Sequence, residues 1–217
     1  MSKLSIFFRQ NKNLFQKIQV LKKKWIILKS KLWYCRFLKE CGKGNVIESP
    51  LYLTPDNIIL HNQVYIYKNC RIEGVKKYGG VSFNPIIIFY DQVSVQQNLH
   101  LTCATRIEIG KNTAIAANVT ITDIHHPYDD INIPIEKQAI QTREVIVGEN
   151  CKIYNNAVIL PGTTIGKHCT IGANSIVSGS YPDYSVIVGT PAKIIKRYSF
   201  EEKAWLKTDI NGNFIKQ

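Results

Sequence analysis

The sequence predicts an all-β chain wound as a parallel β-helix, carrying a basic helical arm at its N-terminus. Three observations predict this. Val147, Ile153, Ile159, Ile165, Ile171 and Val177 recur at a strict spacing of six, and Ile109, Ile115 and Ile121 keep that spacing upstream. Cys151, Ala157, Thr163, Cys169 and Ser175, all small, stand four places after the first five residues of the downstream row. Charge is segregated: residues 1–43 hold 12 Lys or Arg and one acid, Glu40, for a net +11 out of the formal +12, which leaves the rest at +1. A period of six fits neither a helix nor a simple alternating strand. It fits a coil in which each hexapeptide gives one short strand and one corner, with the aliphatic side chain inside and the small one at the bend.

The arm, residues 1–44, reads as helical over about 3–40. Leu14, Ile18, Leu21, Trp25, Leu28 and Leu32 form a heptad-like stripe, and Gly42 and Gly44 end the pattern. Lys22, Lys23, Lys24, Lys29 and Lys31 surround the stripe. Two readings stand side by side. The stripe packs on the chain's own β-helix or on a partner subunit, or residues 1–40 make peripheral contact with an anionic membrane, apolar side chains inward and lysines at the headgroups. No nucleic-acid module motif accompanies the basic charge, so no nucleic-acid partner is expected. Charges interrupt every apolar run near the start, and Trp25–Leu28 is far too short to cross a bilayer. The expected place is cytoplasmic, at the inner face of the membrane if the second reading of the arm holds. Six cysteines without a Cys-x-x-Cys pair read as reduced, buried thiols.

The β-helix is expected over 45–198. Its first part, 45–108, has short apolar runs such as Ile58–Leu60 and Ile86–Ile88 without a clear period, which suits degenerate capping coils. Gly79-Gly80 marks a turn. The step from Ile121 to Val147 is not a multiple of six. The chain therefore leaves the helix and returns, and this excursion loop, 122–146, contains Asp123, His125, His126 and Pro127. Long irregular segments in a regular scaffold are commonly functional. A short helix is expected at Ser199–Leu206, opened by Ser199, within a tail of 199–217.

Three segments carry a family resemblance. Ile159-Leu160-Pro161-Gly162-Thr163-Thr164-Ile165-Gly166, Ile171-Gly172-Ala173-Asn174-Ser175-Ile176-Val177 and Val188-Gly189-Thr190-Pro191-Ala192-Lys193-Ile194-Ile195 resemble coils of the hexapeptide-repeat acyltransferases, a left-handed β-helix family. Asp123-x-x-His126 resembles the loop motif of O-acetyltransferases of bacterial surface polysaccharide and lipopolysaccharide. The resemblance covers about residues 90–206. It implies a homotrimer with clefts between neighbours, acetyl-CoA as acyl donor, no metal, and a sugar or glycan acceptor acetylated on a hydroxyl. It makes His126 the general base, since an imidazole near its usual pKa can take a hydroxyl proton at neutral pH. Asp123 and Asn98 are further catalytic candidates, against simpler roles as turn residues. For the donor it implies Asn155, Ala173, Ser178, Gly179, Lys193 and Lys196, the lysines facing phosphates. Lys152 and Tyr154 depart from the family, which commonly has Trp and Gly there. Two alternatives stay open: an N-acyltransferase acting on an amino-sugar, and a zinc enzyme of the carbonic-anhydrase kind using His100, His125 and His126.

Overall fold

The computed structural model describes residues 12–215, so the first eleven residues of the expected arm and the last two of the tail lie outside the described residues. Three sheets of seven, nine and six strands form the sides of a prism, parallel throughout except for the last two strands of the nine-stranded sheet. Downstream of the excursion loop the first turn takes three hexapeptides on every face, Val147 pairing with Ile165, Ile153 with Ile171 and Ile159 with Val177. The closing turn is shorter, Ile165 pairing with Tyr181 and Ile171 with Ile187. Cys151 accordingly lies beside Cys169, whose N–H points at Cys151 Sγ at 3.4 Å. All six cysteines are free thiols.

The interior is a stack of aliphatic side chains. Ile109, Ile115, Ile121, Ile153, Ile159 and Ile171 are all fully buried, each contributing about 1.5–3 kcal/mol by leaving water. Where the small corner residue is polar, its hydroxyl is satisfied by backbone. Thr113 Oγ1 donates to Gly148 O at 2.8 Å, and Thr163 Oγ1 to Leu160 O at 2.6 Å. Glycine is needed where corners stack most closely, as a Cβ built on Gly148 would lie 2.6 Å from the carbonyl carbon of Gly166. Another corner carries a ladder of side-chain amides. Asn98, Asn118, Asn156 and Asn174 all adopt left-handed backbone, and each side chain bonds the next at 2.9–3.2 Å.

The coils of 45–108 are full turns, not fragments. Cys41 pairs with Leu60, Leu60 with Phe89 and Phe89 with Ile109. The three steps differ in length, and none is a multiple of six, so the register closes in space while the period is lost in the sequence. The longest of these coils contains a hairpin, Lys77–Tyr78 against Val81–Ser82. Its two-residue turn, Gly79-Gly80, has positive φ at both positions, as a twisted tight hairpin requires. The excursion works similarly: Ile121 pairs directly with Ile159, so one regular coil and the whole inserted loop lie between two neighbouring strands.

The arm is a helix, Lys12–Lys29, continued by a π-turn, Ser30–Tyr34, and a last α-turn, Cys35–Phe37. It ends before Gly42 because Leu38 turns extended and leads into the first strand, Glu40–Cys41. The expected C-terminal helix at Ser199–Leu206 is not formed. Ala192–Ser199 is a strand, and Ala204–Lys207 folds back antiparallel onto it, pairing Tyr198 with Trp205 and Ser199 with Ala204. The Ser199 hydroxyl does accept the Glu202 N–H at 3.1 Å, but it closes a turn. Lys203 at φ +51 ends that turn, and a segment this short lacks the length to sustain a helix, whereas the sheet edge offers backbone partners.

Because Gly148 sits against the next coil, Gly148→Ala should lower stability by roughly 1–3 kcal/mol, the usual cost of overpacking. Denaturant unfolding checks this; an unchanged midpoint would show that the corners can spread.

Candidate active site in a cleft on the third face

The third face consists of Tyr52–Leu53, Arg71–Gly74, His100–Cys103, Thr120–Thr122, Val158–Ile159 and Ile176–Val177. Strand alternation puts Ile72, Leu101 and Ile121 inside, so Arg71, Glu73, His100, Thr102, Thr120 and Thr122 point outward. The hairpin leaves this face after Gly74, and the excursion loop leaves it after Thr122. These outward side chains, with Lys77 and Tyr78 of the hairpin and His126 of the loop, line a cleft of about 560 Å³.

Asp123 fixes the loop's departure. It is fully buried, and its carboxylate accepts the N–H groups of Ala104 and Thr105 at 2.7 Å and of Arg106 at 2.9 Å. Cys103 Sγ donates to it at 3.3 Å. Burial, and then the negative charge of Asp123, raise the Cys103 pKa and keep the thiol protonated. The Asp123 carbonyl also accepts the N–H of Arg143 at 2.9 Å. One residue thus holds the corner of the preceding coil and both limbs of the loop, which pair as Ile124–His125 against Gln141–Thr142.

His126 follows at once and is half-buried. The ring of Tyr78 meets it edge-on, centroids 5.3 Å apart, and Tyr78 OH reaches the Glu136 carboxylate at 2.6 Å. That hydrogen bond is the first cause of the raised Tyr78 pKa. Hairpin and loop therefore brace each other around the imidazole. His126 Nδ1 is buried with no hydrogen-bond partner among the described residues. The ring therefore keeps hydrogen-bonding capacity that no described residue uses.

The other expected residues fall in different places. His125 packs against Tyr128, centroids 6.1 Å apart, away from the cleft lining. Asn98 belongs to the corner ladder and does not line the cleft. Asn155 and Ala173 share one exposed corner one coil apart, joined by Asn174 N–H to Asn155 O at 3.0 Å. Ser178 and Gly179 are exposed at the opposite edge of the third face, where a Cβ on Gly179 would meet nothing within 4 Å. Lys193 and Lys196 are exposed on Ala192–Ser199, and neither forms an ion pair with a described residue. Open, small corners followed by free lysines fit an extended donor ending in phosphates. Lys152 and Tyr154, the two departures from the family pattern, pack together beside Asn155, with Nζ 5.5 Å from the ring centroid.

Arg71, Glu73, Tyr78 and His100 had not been singled out from sequence as residues of an acyl-transfer site. His100 had one signal, its position just before the interior Leu101. Burial, and after it the charge of Arg71, lower its pKa, favouring the neutral ring. Tyr78 had none, since its role depends on the meeting of two insertions. Among the described residues no group of three His, Cys, Asp or Glu side chains is placed to hold a metal ion.

The chain is 35% identical over 168 residues to a protein of Escherichia coli K12 carrying the provisional name lipopolysaccharide biosynthesis O-acetyl transferase WbbJ, covering 65% of this chain and 86% of that one. The chain belongs to the hexapeptide-repeat acetyltransferases. The family description "Bacterial transferase hexapeptide (six repeats)" matches residues 144–179, the block with unbroken period. A galactoside O-acetyltransferase of Escherichia coli K12 is 32% identical over 113 residues, 52% of this chain and 54% of that one. Among solved structures, AntD of Bacillus cereus, an N-acyltransferase in complex with dTDP and 3-hydroxybutyryl-CoA, superposes with TM-score 0.64 at 20% identity, covering 77% of this chain and 87% of that one. That likeness shows the fold, and with the family it implies the left-handed winding. As a member of this family the chain is an acyltransferase.

Asp123→Asn would place amide hydrogens against backbone donors in a buried site. Stability should fall by roughly 2–4 kcal/mol, from lost charge-assisted hydrogen bonds and unsatisfied N–H groups. Hydrogen exchange at Ala104 and Thr105 should quicken. Wild-type protection at both amides would show that another group holds the corner.

Proposed function

We propose that the chain transfers an acetyl group from acetyl-CoA to a hydroxyl of a sugar or surface-glycan intermediate, with His126 as general base. The observation that carries this reading is His126 itself. It is an imidazole on a clamped loop, bordering a cleft, with a buried nitrogen that no described residue satisfies. Acetyl-CoA supplies the acetyl group as a reactive thioester. An alcohol is a weak nucleophile at neutral pH, and His126 takes the acceptor's proton as its oxygen attacks the acyl carbon. The ring then returns a proton to the departing sulfur, so one residue serves both halves of the transfer without a covalent enzyme intermediate.

The donor is read along Asn155 and Ala173, with Ser178 and Gly179 contacting it through backbone groups and Lys193 and Lys196 meeting its phosphates. Lysines suit phosphates as mobile point charges. His100, pointing outward into the cleft, is available to orient an acceptor hydroxyl, and Thr102, Thr120 and Thr122 add hydroxyls of their own. Asp123 acts through the loop, not on the acceptor. The assembly we infer is a homotrimer, in which a second copy covers the exposed corners at Asn155 and Ala173. The names of the relatives support an acyl acceptor of carbohydrate type.

His126→Ala should lower turnover by about 10²–10⁴-fold, the usual contribution of a general base, while CoA binding measured by calorimetry persists. The acetylated product should release acetate in mild alkali, as an ester does and an amide does not. Near-normal turnover of the variant would remove His126 from the mechanism, and an alkali-stable product would make the acceptor an amine.

A further inference from the structure

The arm helix touches the body at one end and on one side. Ser30 is fully buried, and its Oγ accepts the Ile47 N–H at 2.9 Å. Ile26, one turn earlier, is half-buried on the same side. The stripe of Leu14, Ile18, Leu21, Trp25 and Leu28 lies roughly 140° round the helix from these two, at about 100° per residue. Its members are solvent-exposed: Leu14 by 48%, Leu21 by 64% and Trp25 by 63%. The chain's own β-helix is therefore not what covers them. A contiguous apolar face of this kind marks an interaction site.

Charge selects among the remaining occupants. Residues 1–39 contain no Asp or Glu. Stepping by about 100°, Lys17 and Lys24 border one edge of the stripe, and Lys22 and Lys29 border the other. A second copy of the arm would bring the same cations with no acids to pair at the flanking positions, and helix pairing depends on such partners. An anionic lipid surface takes both features at once, the apolar stripe at the acyl boundary and the ammonium groups at the headgroups. Among the described residues no helix is long and apolar enough to cross a membrane. We infer that the arm lies flat on an anionic phospholipid surface, stripe inward, and tethers the β-helix by its N-terminal coil. This inference is independent of the acyl-transfer reading.

The test uses the full chain with phosphatidylcholine vesicles, with and without phosphatidylglycerol, at low salt. The chain should sediment with the anionic vesicles and stay in solution with the neutral ones. Lys17→Gln/Lys22→Gln/Lys24→Gln, all three bordering the stripe, should weaken partition on the order of 10²-fold, from about one kcal/mol per lysine at such a surface. Leu21→Glu/Trp25→Glu should abolish it with an unchanged circular dichroism spectrum. In case that double variant misfolds, a Trp33→Phe/Trp205→Phe chain leaves Trp25 as its one indole, and its emission should shift to the blue on adding anionic vesicles. Indifference of the intact chain to those vesicles overturns the proposal, as does unshifted Trp25 emission. Loss of self-association in place of lipid binding on Leu21→Glu/Trp25→Glu also overturns it, and would make a second copy the occupant.

Discussion

The narrow interior of the prism is the constraint on which everything else depends. Each pass along a face contributes an aliphatic side chain to the inside, and the corners of the regular coils after Val147 take a small residue such as Cys151, Ala157 or Ser175, or a glycine. Backbone N–H groups donate from one coil to the next, as from Lys152 to Cys169 O and from Val158 to Ser175 O. Once these contacts fix the register, every outward residue falls into a row whose members are one strand spacing apart, about 4.8 Å. The rows then place chemistry. Arg71, His100 and Thr120 succeed one another on the third face, and Val158 and Ile176 continue that row towards the C-terminal coils.

A smooth prism has no deep site, and this chain makes one with two insertions. Both leave at the same edge of the third face, after Gly74 and after Thr122, with the strand His100–Cys103 between them. Tyr78 of the first insertion meets His126 and Glu136 of the second. The corner that follows the intervening strand supplies the three N–H groups that bind Asp123. The cleft is thus floored by regular coil and walled by irregular chain. Its imidazole is held by packing while its polar edge stays unspent.

Legibility in the sequence follows the same physics. The downstream coils are plain because their hexapeptides run uninterrupted from Val147 to Val177, so that row announces the fold and His126 stands out in the gap. Upstream coils, unequal in length, pair just as well, but their extra residues sit at corners, where the period is lost. His100 is interior-adjacent in a coil whose phase could not be counted, and Tyr78 belongs to a contact with Glu136, far along the chain. At the C-terminus, Ser199 and the two glutamates resemble a helix start. The unpaired edge of Ala192–Ser199 outweighs that local signal and captures Ala204–Lys207 as a strand. Asp123 looked like a loop residue with a turn to make, and its burial beneath the preceding corner depends on a stacking that sequence spacing does not state.

The central claim is that the excursion loop delivers His126 to the thioester while the donor runs along the exposed corners. A crystal structure of the chain with CoA bound tests it most directly. The account predicts the thiol sulfur within reach of a His126 imidazole nitrogen, at about 3–4 Å or through one water, with the pantetheine arm along Asn155 and Ala173. A thiol far from every His126 ring, or a donor lying on another face of the prism, would contradict it.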